Sequence, residues 1–174
     1  KPIVAFAFPG DTNVQFQAIA SLHGLSVDQK VRMQIVRCGA LEPLILAANS
    51  ESVEVQRETA ATLCNLTLSE ENKVTIARSG CLPALISLVQ SDDPERERHA
   101  VCALSNLAEM VEGRTQRKML EEGVLGPLLA LAGSDKTEIK REVSRCLALF
   151  ASKADSQGAL LRSGGLQQMV AFVR

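Results

Sequence analysis

A chain of 174 residues, 46% of them hydrophobic, carries enough apolar material to bury a substantial core. Nineteen basic against twenty acidic side chains leave a formal charge of −1, which excludes a net field for holding nucleic-acid phosphates or an anionic membrane surface. Five Phe with neither Trp nor Tyr leave few platforms for stacking bases, and stretches such as CLPALISLV fall far short of the roughly 20 apolar residues that span a bilayer, so neither single-stranded nucleic acid nor direct membrane insertion is expected.

In chain order, the apolar run IVAFAF at 3–8 comes first, followed by a helical pattern that closes at SLHGLS. Then a phrase begins to recur: RCGALEPLILAANS at 37–50, RSGCLPALISLVQS at 78–91, EEGVLGPLLALAGS at 121–134 and RSGGLQQMVAFVR at 162–174. Its glycines, Gly39, Gly80, Gly123 and Gly164, are spaced by 41, 43 and 41 residues, a repeat period in the low forties. Each of the first three is followed 26 residues later by a second landmark: Asn65, Asn106 and Leu149. The two extra residues of the middle interval fall in EMVEGR, 109–114, read as a longer exposed loop.

Three helices are predicted per unit. A short first helix is exemplified by SEENKVTIARSG, with Ser69 as N-cap, Glu70 and Glu71 in the first turn and Gly80 as a left-handed stop. The second starts just past the glycine, with Pro43, Pro83 or Pro127 in its first turn, where a missing N–H costs little. The third, about Val53 to Leu68, places Val55, Thr59, Ala60, Leu63 and Leu66 on one face. One unit later that column holds Arg96, Ala100, Val101, Leu104 and Leu107, then Ile139, Val143, Ser144, Leu147 and Phe150, so that Arg96 alone breaks it. Leu41, Leu82, Leu125 and Leu166, with Leu44, Leu85 and Leu128, are core by spacing.

Nothing alternates with strand periodicity, so the fold class is all-α: a right-handed α-solenoid in which stacked units share one core and expose a long concave face. The units run 28–68, 69–111 and 112–152, with partial ones at 1–27 and 153–174, as if taken from a longer array with flanking repeats.

The stretches GCLPALISLVQSDDPERERHAVCALSNLAEM and GALEPLILAANSESVEVQRETAATLCNLTLSEENKVTIARSG resemble the armadillo repeat, with its Gly-x-Leu-x-x-Leu second helix and Ala-Leu-x-Asn-Leu third helix. The resemblance covers nearly the whole chain in phase. It implies that the end of the third helix lines a groove and that the protein is a non-catalytic scaffold that binds an extended or helical segment of a partner protein along that concave face.

On that reading Asn65 and Asn106 would hold an extended peptide by pairing with its C=O and N–H together, in preference to bonding a neighbouring helix end. The column continues as Gly24 and Leu149, so only two units keep the amide. Where import adaptors of the importin-alpha type carry Trp, this chain has Ala20, Ala61, Cys102 and Arg145, which weakens the alternative of a nuclear import adaptor for basic signals. Arg57, Arg98 and Arg141 stand in register as a basic stripe suited to an acidic segment, as in the beta-catenin type, although Glu54, Glu95 and Glu138 three residues earlier favour ordinary salt bridges. With His99 beside Arg98 and ahead of Asn106, the middle unit is the most promising spot. A third alternative is a structural unit of a cytoskeletal, ciliary or membrane-tethered assembly, its groove empty.

The five cysteines, odd in number and far apart, read as buried thiols in a reducing, intracellular setting. His23 and His99 lie far from each other and no C-x-x-C pair occurs, so no metal or other cofactor is expected, and no nucleophile has a base near it.

Overall fold

The computed structural model describes residues 2–110 and 113–162, together with 167, 169 and 170. Expectations for Gly164, Leu166 and the middle of the 109–114 loop lie outside the described residues. All regular structure among the described residues is helical. A helix α1 (Pro2–Phe6) precedes α2 (Thr12–Ser26); α3 (Gln29–Arg37), α4 (Leu41–Ala47) and α5 (Val53–Leu66) follow. The same triplet recurs as α6 (Glu70–Arg78), α7 (Cys81–Val89) and α8 (Pro94–Ala108), and again as α9 (Arg114–Glu121), α10 (Leu125–Ala132) and α11 (Thr137–Ser152), before α12 (Ala154–Arg162).

Helix ends are set by the chemistry of their caps. Asp11, Asp28, Ser52 and Asp93 each accept backbone N–H bonds at the start of α2, α3, α5 and α8. Gly39, Gly80 and Gly123 take φ of 85°, 87° and 81°, the left-handed turn between first and second helices that a side chain resists. Ser69 stands at the N-cap of α6, but its hydroxyl bonds the Glu71 carboxylate instead of a backbone N–H. The helix expected to run to Leu68 ends at Leu66: Thr67 takes ψ of −5° and the Leu68 N–H bonds the Asn65 carbonyl three residues back at 3.2 Å.

Equivalent helices stack on one another. The third helices form the longest ladder, α2 on α5 on α8 on α11, while α4, α7 and α10 make a second row. A single apolar core runs between the rows: Val55, Ala60, Leu63 and Leu66 of α5 are repeated by Ala100, Val101, Leu104 and Leu107 of α8 and by Ile139, Val143, Leu147 and Phe150 of α11, all buried. No triplet could hide its own stripe, so burial couples each unit to the next. Ser144 departs from its column and is exposed, because among the described residues no further third helix covers that side of α11. Arg96 is half-buried by extending to the Ser91 carbonyl at 2.8 Å and to the Gln56 side chain. Cys38, expected to be buried, is exposed at the end of α3, whereas Cys64, Cys81 and Cys146 are buried and Cys102 half-buried.

Candidate functional site

The ladder of third helices brings the candidate residues onto neighbouring turns. Asn106 of α8 donates from Nδ2 to the Thr67 hydroxyl at 3.1 Å, while its Oδ1 accepts from Arg145 of α11 at 3.0 Å. Both ends of this buried amide therefore join consecutive units. Asn65 repeats the first half of the pattern, donating to Ser26 at 2.9 Å, and among the described residues no group bonds its Oδ1. The hydroxyls of Ser26 and Thr67 are the partners that sequence reading passed over. Their shared position, 39 residues before each Asn, was the available signal.

The arginines divide into compensated and open ones. Arg57 was expected to pair with Glu54; instead it forks onto Asp93, with Nη2–Oδ2 at 2.6 Å and Nε–Oδ2 at 3.1 Å. Asp93 offers both oxygens from a fixed N-cap, whereas the Glu54 carboxylate bonds the Ser52 hydroxyl. The Arg57 guanidinium, working against partial burial, holds the Asp93 carboxyl down at about 2. Arg145 bridges Glu142 (2.9 Å) and Glu109 (2.5 Å) besides Asn106. Burial opposes its charge, but Glu142 and Glu109 outweigh that and raise its pKa.

Arg98 and Arg141 are different. Among the described residues no carboxylate lies within ion-pair distance of either, so the salt bridges expected to Glu95 and Glu138 do not form. Arg98 donates from Nη2 to His99 at 2.7 Å. That bond requires a lone pair on the imidazole, and burial together with the Arg98 charge pushes the His99 pKa down, keeping the ring neutral. Between the starts of α8 and α11 lies a cleft of about 300 Å³ bordered by Arg98, Lys136 and Thr137 as well as Glu95 and Glu138. On the other side of the middle unit His23 meets Glu58 at 2.7 Å, joining α2 to α5.

Residues 28–68 and 69–109 match the family model of the armadillo/beta-catenin-like repeat. Two consecutive units, residues 28–109, thus carry the likeness to the armadillo/beta-catenin-like repeat. A crystal structure of an engineered protein is 25% identical, covers 98% of this chain and 70% of its own, and has a TM-score of 0.85. A computationally designed armadillo repeat protein for modular peptide recognition is 22% identical over 98% of this chain and 72% of its own, with a TM-score of 0.88. A designed armadillo repeat protein in complex with the peptide (KR)4 is 23% identical, again covering 98% and 72%, with a TM-score of 0.86. No curated protein sequence matches. Among the described residues no helix is long and apolar enough to cross a membrane.

Within the armadillo frame, the positions four before the Asn column hold Ala20, Ala61, Cys102 and Arg145. They offer no aromatic slot for lysine stems, and Arg145 is already bound by two carboxylates.

Proposed function

We propose that the armadillo repeats bind an extended, acidic segment of another protein along the third-helix face, as a scaffold without catalysis of its own. The observation that carries this reading is the contrast among the arginines. Arg57 and Arg145 are paired with carboxylates within the fold, whereas Arg98 and Arg141, on adjacent third helices, have no carboxylate within ion-pair distance among the described residues.

Stacked helices lie about 8 to 10 Å apart and an extended chain rises about 3.3 Å per residue, so acidic side chains at roughly every third position would meet successive units. In this track Asn65 contributes its open Oδ1 to a backbone N–H. Asn106 and Arg145 fix the wall between the second and third units, Arg57 edges it, and His99 orients Arg98. A (KR)4 peptide sits in the designed relative at 23% identity. Here the absence of Trp and the open arginines favour the opposite charge.

The test is a pair of designed peptides, one with Glu at every third position and its Lys counterpart, titrated by calorimetry against the chain and the Arg98→Glu/Arg141→Glu variant. Saturable binding of the Glu peptide alone, weakened by about tenfold or more in the variant, supports the proposal. Preference for the Lys peptide would favour an import-adaptor reading, and binding of neither would favour a structural unit.

A further inference from the structure

One position in the ladder of third helices loses its partners from one unit to the next. Gln56 of α5 donates from Nε2 to the Ser50 carbonyl at 2.7 Å, and its Oε1 accepts from Arg96 of α8. One unit later Glu97 holds that place, and an ionised carboxylate has no proton to donate. The matching carbonyl, that of Ser91, is taken by Arg96 at 2.8 Å, and Ile139 of α11 stands where a second arginine would reach across. Glu97 is nevertheless only 9% exposed, and among the described residues its side chain makes no hydrogen bond or ion pair.

The same side chain borders a cavity of about 460 Å³ between the end of α7 and α10. Val89, Pro127 and Leu131 give it apolar walls. Asp92, in a left-handed turn with φ of 54°, adds a second carboxylate that is exposed and also without a partner among the described residues. No basic side chain among the described residues lines the cavity. Burial pushes the Glu97 carboxyl above its ordinary range, with Asp92 and Asp93 acting in the same direction and Lys136 and Arg96 opposing from beyond ion-pair distance.

We propose that the cavity between α7 and α10 is a binding site for the lysine side chain of a partner protein, with Glu97 as its buried counter-charge and Asp92 at its mouth.

The chemistry of the walls selects the ligand. A buried carboxylate without a counter-charge is costly until a cation reaches it. Carboxylates behind apolar walls suit a cation carried on an apolar stem, which describes lysine: its methylenes lie against Pro127 and Leu131 while the three ammonium donors divide between Glu97 and Asp92. The cavity shares no lining residue with the cleft that Arg98 borders, so this inference does not rest on the groove reading.

The test is a heteronuclear NMR titration of the isotopically labelled chain with Nα-acetyl-lysine N-methylamide and with its norleucine counterpart, which keeps the stem and lacks the ammonium. Saturable shifts of the Asp92, Glu97, Gly126 and Ala130 amides are expected, with a Kd on the order of 1 mM for lysine and binding of norleucine at least about tenfold weaker. Glu97→Gln, which restores the residue type found at position 56, should keep the fold and weaken lysine binding by about tenfold. Ala130→Leu, which fills the cavity from an exposed position on α10, should weaken it as much with both carboxylates intact. Equal binding of norleucine, an unaltered lysine affinity in either folded variant, or shifts at Asn65 and Asn106 in place of these four residues would overturn the proposal. The ligand carries no carboxylate, so its failure is separate from failure of the groove.

Discussion

Asn106 Nδ2 donates to the Thr67 hydroxyl at 3.1 Å, a bond between side chains 39 residues apart that clamps the end of one third helix to the next. Removing the amide by Asn106→Ala empties a buried position and leaves the half-buried Arg145 short of one acceptor, and a loss of about 1 to 3 kcal/mol is expected in chemical denaturation. Asn65→Ala, at a half-buried site with one bond to Ser26, should cost about 0.5 to 1.5 kcal/mol. Equal costs at the two positions would contradict this assignment.

Asp93 serves two elements at once, capping α8 through the Arg96 N–H at 3.0 Å and holding Arg57. Asp93→Ala should therefore destabilise by about 1 to 2 kcal/mol, and Arg57→Ala by less, because Arg57 is exposed. Thermal melts of the two variants decide the order.

The same carboxylate sets an acid limit. Its pKa is lowered in the folded chain to about 2 from an ordinary 3.8, so its stabilisation is complete above pH 3.8 and is lost as pH falls through about 2. His99 acts in a higher window. Because its folded pKa lies below 6.5, the chain loses stability as pH drops beneath 6.5, until the ring protonates in the folded state too. Urea midpoints measured from pH 8 to pH 2 should fall in both windows, and His99→Gln should abolish the upper one.

Much of the fold was legible because it depends on period. Glycines spaced by 41 and 43 residues and apolar columns at helical spacing fix where each helix turns and which face it buries. What the sequence concealed were contacts between units. The pairing of Arg57 with Asp93 instead of Glu54, and the reach of Asn106 to Thr67 and of Arg145 back to Asn106, depend on a register offset of a few residues that no single helix reveals. Asp93 could have been found from its place before Pro94, where a capping carboxylate is common.

Gly39, Gly80 and Gly123 share φ near 85°, and an added Cβ would meet no neighbour within 4 Å at any of them. Their substitution by Ala should cost only backbone strain, about 1 to 2 kcal/mol and similar at all three, as read from shifts of the urea midpoint. A much larger cost at one of them would reveal packing beyond the backbone.

The most direct measurement is a hydrogen-exchange footprint of the chain saturated with the Glu-spaced peptide. Protection should concentrate on α5, α8 and α11, at the turns carrying Asn65, Arg98 and Arg141, and should vanish in Arg98→Glu/Arg141→Glu. Protection confined to α3, α6 and α9, with the third helices exchanging as in the free chain, would contradict the account.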